Sequence, residues 1–392
     1  MRQLYVLLHR FLGLITALFL ALAGLTGSVL AFHHELDEWL NPSFYEAPAV
    51  GERQQPGVLV DKLQAEHPRL QVWYMEYPSE PGHAALLAMV PRNDPASGEP
   101  YAEKNTVFYL DPVSGLTLGQ RYWGECCFSR ENFMPFMLEL HYSLTLPGNW
   151  GILLMGVVAI MWVIDCLIAV LLTLPRGRPF WGKWSKAWKI KGGHAYRLNM
   201  DIHRAGGLWL WLLLLPVALS SVAMNLPAQV FKPAVSLFSP VEPSVYEARG
   251  GLPKEQLGVT QLSYQQAYQR AQQEGQRLGL TAPIGELYYS FEYNFYGAGF
   301  GQHDTDAQGK SWLFFHGTDG HLLGKEIAGQ GTLGERFYRL QLPIHGGRII
   351  GMTGQVLIAV LGVMIAVLSL TGVYIWWRKL QARRSGKVRR AG

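Results

Sequence analysis

Two short stretches decide how the chain is read: HRFLGL at residues 9–14 and HRAGGL at residues 203–208. Each sets a His-Arg pair ahead of a Gly-Leu and then enters a long apolar run. Four such runs lie near residues 12–32, 151–174, 208–226 and 349–377, and each reaches the roughly 20 residues that a helix needs to cross a bilayer. The first run lacks a clear small-residue cleavage site and continues into HHELDEW, so it is expected to be a retained span and not a signal peptide. A titratable ring and a cation placed twice at the mouth of a span ask for a reason.

The chain has 392 residues, a net charge of +5 and a pI near 9.0. Its Lys and Arg concentrate between residues 176 and 204 and again from 378 to 390. The positive-inside rule then places both segments and both termini in the cytoplasm, with two polar segments outside. The basic balance reports topology, and no nucleic-acid partner is expected. In WGKWSKAWK, Trp181, Trp184 and Trp188 alternate with Lys183, Lys186 and Lys189. This reads as an amphipathic segment on membrane lipid, with docking of a soluble partner as the alternative. Three cysteines occur. Cys166 falls in the second span, and Cys126 and Cys127 are adjacent, where an oxidising compartment would allow a strained bridge. There is no CxxC or CxxCH, so neither covalent c-type haem nor a structural zinc site is expected.

The halves align. Counted from the two His-Arg pairs, LTGSVLAF from Leu25 falls opposite LSSVAMNL from Leu219, and in the return spans GILLMGVVAI from Gly151 matches GQVLIAVLGV from Gly354. His141 and His345 precede the return spans. Outside, residues 57–70 and 263–275 read as helices. Residues 84–90, 105–120, 285–295 and 310–325 read as strands, with turns at DPVSG and GTDG. The expected fold class is a membrane all-α four-helix bundle with two outer α+β modules and an internal two-fold repeat of the parallel kind. The expected boundaries are spans at 1–33, 141–176, 203–227 and 343–380, outer modules at 34–140 and 228–342, a basic cytoplasmic loop at 177–202 and a basic tail at 381–392.

LHRFLGL (residues 8–14), LAFHHELDEWLNP (30–42), LHYSL and GNWG (140–144, 148–151), IHR (202–204) and TGVYIWW (371–377) together resemble the PepSY-associated transmembrane family over nearly the whole chain. That resemblance implies PepSY-like periplasmic modules, a bacterial inner-membrane location and kinship with ferric-siderophore reductases that hold b-type haem.

Six histidines flank the spans: His9, His33, His34, His141, His203 and His345. Ionisable groups at membrane depth are costly, so a functional role is the default. Imidazole is also a common axial ligand of haem iron. Residues equivalent under a two-fold axis meet across it, which pairs His9 with His203 and His141 with His345 and predicts two b-type haems, one near each face. Arg10 and Arg204 are expected beside the inner propionates and Arg348 beside the outer ones. Gly13, Gly206 and Gly207 either leave room for a macrocycle or pack helices. Asp165 either accepts a hydrogen bond from a ligating imidazole or pairs with Arg10 or Arg204. His33 has Pro227 as its counterpart, so His33 or His34 either replaces an outer ligand or lines a substrate site. From His9 to His33 is about 36 Å of helix, a span over which Trp162, Trp209 and Trp211 are candidate relays or simply packing.

The function expected from this set is reduction of a periplasmic ferric siderophore by electrons from a cytoplasmic donor, releasing Fe(II). No G-x-G-x-x-G occurs in strand-to-helix context, so the donor is a separate flavin, flavoprotein or quinol. The alternatives are a non-redox PepSY binding or regulatory protein, a quinol-linked electron carrier with another acceptor and, more weakly, a siderophore permease. Aromatics from WYMEY, RYWGECCF and YYSFEYNFYGAGF are the candidate walls of a cleft between the modules, with Trp73, Tyr77, Trp123, Tyr293 and Tyr296 as substrate contacts. Their alternative is a place in the strand cores. No basic cluster marks the outer segments, which favours a hydroxamate siderophore over a small anion. His83 and the HDTD at 303–306 read as exposed loops, the latter with metal ligation as an alternative.

Overall fold

The computed structural model describes residues 1–258, 260–301 and 309–391. In chain order the principal elements are α1 (Arg2–Leu30), α2 (His33–Leu40), α3 (Pro56–Glu66), β1 (Leu70–Glu76), β2 (Ala85–Pro91), β3 (Thr106–Leu110), β4 (Thr117–Tyr122) and α4 (Arg130–Ser143). They continue with α5 (Trp150–Thr173), α6 (Ala195–Asn225), α7 (Tyr264–Arg277), β5 (Ile284–Ser290), β6 (Phe295–Phe300), β7 (Ser311–His316), β8 (Leu322–Glu326), α8 (Gln341–His345) and α9 (Gly351–Ala391). Among the described residues, four helices are long and apolar enough to cross a membrane: Arg2–Leu30, Trp150–Thr173, Ala195–Asn225 and Arg348–Arg384. The chain forms two compact units. One is helical (Met1–Phe32, Met137–Val235, Gln341–Gly392) and the other carries the sheet (His33–Phe136, Ser236–Leu340).

In the helical unit α1 lies against α9, and the contact is built from small residues. A Cβ on Gly24 or on Gly362 would run into the other helix's backbone. Close approach of this kind is how helices associate where lipid leaves no hydrophobic drive between them. Ser28 Oγ donates to the Ala359 carbonyl at 2.7 Å, and Gln355 Nε2 to the Ala31 carbonyl at 3.0 Å. On the other side, Trp211 Nε1 of α6 donates to the Cys166 carbonyl of α5 at 3.0 Å. The return turns into α5 and α9 share one device. Gly151 lies on the Ser143 carbonyl and Gly354 on the Gly347 carbonyl, where any side chain would collide.

The second unit corrects one expectation. The two outer α+β segments do not form separate modules. They join in a single eight-stranded antiparallel sheet of order β4-β3-β2-β1-β5-β6-β7-β8. β1 pairs with β5 through Tyr74–Tyr288, Met75–Leu287 and Glu76–Glu286. Each strand alone would present an open edge of N–H and C=O groups, and pairing them satisfies both. Leu59 and Leu63 of α3, Ala267 and Ala271 of α7, and Met75, Leu87, Leu287 and Leu313 from the strands then form one continuous core. Gly57 lets the two helices touch, its N–H bonded to Gln265 Oε1 at 3.1 Å.

Two local readings also change. Residues 285–295 are not one strand but β5, a turn at 291–294 and the start of β6, with Asn294 in the left-handed region (φ 47°). An unbroken aromatic run hid the turn. The helix expected at 57–70 ends at Glu66, and β1 begins at Leu70, where no strand is expected from the sequence.

Candidate functional site

The helical unit brings four of the predicted histidines together in two pairs. The rings of His9 and His203 stand 6.0 Å apart between centroids, and so do those of His141 and His345. His9 comes from α1, His141 from the end of α4 and His345 from the end of α8. His203 sits in a π-helical turn, Ile202–Gly206, inside α6. Such a turn inserts one residue into the helical frame and re-aims the side chains it carries, and it recurs at functional sites.

Each ring is held through Nδ1. His9 Nδ1 donates to Asp165 Oδ1 at 2.8 Å, and His203 Nδ1 to the Leu368 carbonyl at 3.0 Å, with Thr371 Oγ1 at 3.1 Å. His141 Nδ1 meets Thr26 Oγ1 at 2.9 Å, and His345 Nδ1 meets Ser220 Oγ at 3.0 Å. Thr26 gives its own proton to the Leu22 carbonyl and Ser220 gives its proton to that of Val217, so each hydroxyl turns a lone pair to the imidazole. With the proton on Nδ1, each ring makes these bonds and keeps the Nε2 lone pair for a ligand, the tautomer that metal-binding histidines use.

The anchors recur at equal offsets. Thr26 follows His9 by 17 residues and Ser220 follows His203 by 17. Asp165 follows Gly151 by 14 and Leu368 follows Gly354 by 14. Each half orients its own two histidines, and each pair draws one histidine from each half. His141 rests beside Thr26 on the helix that carries His9, so the two pairs stand about 25 Å apart along α1. That is shorter than the distance from His9 to His33.

A haem iron bound by two imidazoles needs a free ring nitrogen on each side at the right separation. Two nitrogen–metal bonds of about 2 Å and roughly 1 Å from each nitrogen to its ring centre total roughly 6 Å. The 6.0 Å between ring centroids in both pairs agrees with that sum, and a glycine lies beside two of the rings: Gly27 at His141 and Gly372 at His203.

The other predicted residues fare differently. Asp165 takes the first of its two expected roles, bonding His9. Arg204 is not free for a carboxylate: it pairs with Asp201 Oδ1 at 2.7 Å and donates to the carbonyls of Lys186, Ala187 and Lys189. It staples the basic loop to the start of α6, and Asp201, three residues away, supplied the competing anion. Arg10 is half-buried, its guanidinium 5.1 Å from the Phe11 ring, and Arg348 lies in a short 3₁₀ turn before α9. His33 and His34 fall in α2, in the sheet unit, where His34 meets the Tyr45 ring edge-on. Trp211 and Trp162 pack inside the helical unit, while Trp209 is exposed and bonds the Trp188 carbonyl.

Among the candidate substrate contacts, Tyr296 is a core residue, 2% exposed, with its hydroxyl on the Leu262 carbonyl. Tyr77 packs under the Arg53 guanidinium and bonds the Gln54 carbonyl, and Tyr293 lies against Tyr246. Trp73 and Trp123, each 41% exposed, are the most open of the five. The aromatic surplus has a simple cause. In the second half the sheet is covered on both sides, so all of β6 is buried. An open cavity of about 630 Å³ does occur in this unit, but Pro68, Gln71, Arg92, Asn93, Pro95, Tyr101 and Phe291 line it, and none of the five does. Cys126 and Cys127 are joined as a vicinal disulfide. The HDTD at 303–306 lies outside the described residues.

The motif after the first span has a structural role that its letters did not disclose. Asp37 of α2 receives both guanidinium nitrogens of Arg121 on β4, at 2.9 and 3.2 Å, together with the Tyr45 hydroxyl and Asn41 Nδ2. Burial, aided by Tyr109 and Asp37, pushes the Tyr45 hydroxyl far above its ordinary pKa, so it remains a donor.

Four membrane-length helices with an eight-stranded antiparallel sheet define a multi-span membrane protein. Residues 6–379 match the PepSY-associated TM region, and the chain belongs to that family. A comparison with curated proteins finds no match.

Proposed function

We propose that the chain is a dihaem reductase of the bacterial inner membrane that passes electrons from a cytoplasmic donor to a periplasmic ferric siderophore of the hydroxamate type. What supports this reading is the pair of imidazole pairs at two levels of one bundle, each ring fixed by Nδ1 with Nε2 left to ligate. When bound, a b-type haem at each pair supplies a one-electron iron centre. The chain's own residues do the orienting. Asp165, a carboxylate, makes His9 a more basic ligand than the hydroxyl-anchored His141 and His345. The equal offsets of the anchors support an internal two-fold repeat, with the two pairs on its axis. Siderophore oxygens suit hard Fe(III) and hold Fe(II) less well, so reduction releases the metal.

Purified protein is expected to show sharp b-type bands after dithionite, and a ferric trihydroxamate is expected to oxidise the reduced form faster than ferric citrate or a ferric catecholate does. Colourless protein from haem-supplied cells defeats the reductase reading. Equal rates for all three chelates defeat only the hydroxamate assignment.

The Lys- and Arg-rich loop and tail favour cytoplasmic termini. A reporter active only in the cytoplasm, fused after Gly392, is expected to be active. An intact but silent fusion reverses the orientation.

A further inference from the structure

We propose that the β7–β8 turn binds a divalent first-row transition-metal ion through His316, Asp319 and His321. The ligand atoms of the three residues all lie within 4.8 Å of one another. The two imidazoles face each other across the hairpin, stacked at 4.9 Å, and Asp319 Oδ1 stands between them at 3.2 Å from His316 Nδ1 and 2.7 Å from His321 Nδ1.

The turn is built rigidly. The His316 N–H donates to the His321 carbonyl, and the Gly320 N–H closes the loop on the His316 carbonyl, with Gly320 at φ 71°. The buried Asn294 takes the Gly317 N–H on its own carbonyl, and its side chain donates to Thr318 Oγ1. Few rotations are then needed to gather three ligands on one ion.

The same turn occurs in the first half without these residues. There the Asp111 N–H donates to the Leu116 carbonyl and the Gly115 N–H to that of Asp111, the identical pair of bonds. Ser114 stands where Asp319 does, and Leu116 where His321 does. Ser114 Oγ accepts the Leu116 N–H just as Asp319 Oδ1 accepts the His321 N–H, at 3.3 and 3.2 Å. His316 Nδ1 takes the Thr318 N–H at 3.4 Å as Asp111 Oδ1 takes that of Val113, so the frame accepts other polar residues at these places and does not require a His–Asp–His set.

Two imidazoles and one carboxylate are borderline donors that suit Zn(II), Co(II), Ni(II) or Fe(II). Mg(II) and Ca(II) prefer all-oxygen sites, and a soft ion would want sulfur. Three protein ligands leave positions open for water or exchange.

The test is a Zn(II) titration of tag-free, full-length, metal-stripped protein in detergent, followed by calorimetry and repeated with Co(II) absorption. His321→Leu and Asp319→Ser install the residues of the first turn, so the hairpin keeps a sequence that its geometry accepts. Each is expected to weaken one Zn(II) equivalent by at least about tenfold, the cost usual for disturbing a metal site. The control His83→Ala, at an exposed histidine elsewhere in the same unit, is expected to change nothing. Wild-type protein that takes up no Zn(II), or variants that bind the same number of ions with the same affinity, overturn the proposal.

Discussion

Protein carrying His203→Ala is expected to hold about half the haem of the wild type, and His345→Ala the other half. The expectation rests on the independence of the two pairs. His203 leans on Leu368 and Thr371, and its partner His9 on Asp165. His141 and His345 lean on Thr26 and Ser220, about 25 Å further along α1. No anchor is shared, so removing one ring leaves the other pair's tautomers and spacing intact. A lone His9 lacks the second axial nitrogen that a low-spin site needs. Anchor variants separate ligation from packing. Ser220→Ala frees the His345 Nδ1 proton while keeping the helix, and losing such an orienting partner lowers metal affinity about 10–100-fold. It should loosen only the second site. The measurement is haem per protein by pyridine haemochrome, with the reduced spectrum of whichever site remains. Full haem content in both histidine variants would falsify the pairing.

The spans were legible because crossing a bilayer is a demand on each segment alone, met by about 20 apolar residues whatever surrounds them. The histidine pairs were legible because equivalence between halves names both partners, and the offsets of Thr26, Ser220, Asp165 and Leu368 were already in the letters. The anchoring itself was not. Ser220 reads as one of two serines in an apolar run, and the π turn at Ile202–Gly206 leaves no local signature. Long-range choices were hidden for a different reason. Nothing in LQVWYME says that its free edge will meet IGELYYS some 200 residues later, and that one pairing turns two modules into one sheet. Tyr296 was misplaced by the same step: in a sheet covered on both faces, alternation no longer separates wall from core. Arg204 was misplaced because a cation takes the nearest buried anion, and Asp201 lies one helical turn away.

The second large effect is expected at Asp37→Ala, which should destabilise the protein by about 3–5 kcal/mol, the range found when one partner of a buried ion pair is removed. Arg121 is 4% exposed and Asp37 8% exposed, so water cannot take over the lost contacts. Arg121 would keep its charge with only the Phe44 and Tyr109 ring faces beside it. Tyr45 would lose the acceptor of its hydroxyl, while Asn41 Nδ2 would keep the Asp37 and Arg130 carbonyls. Truncation at Asp37 thus strands two groups at once, Arg121 and Tyr45, which sets it apart from the exposed pair Lys104–Glu125, where the same change should be nearly silent. Thermal unfolding of full-length protein in detergent, with limited proteolysis to locate the opening, measures the difference. Removing both charges is the informative companion. Asp37→Leu with Arg121→Met deletes the stranded guanidinium, and apolar replacement of a whole buried pair is often neutral. Recovery should stop short of wild type, because the Tyr45 hydroxyl still lacks its acceptor. If the single and double variants unfold alike, the cost lies in lost packing and not in the uncompensated charge. If Asp37→Ala unfolds like the wild type, this network does not hold α2 to β4.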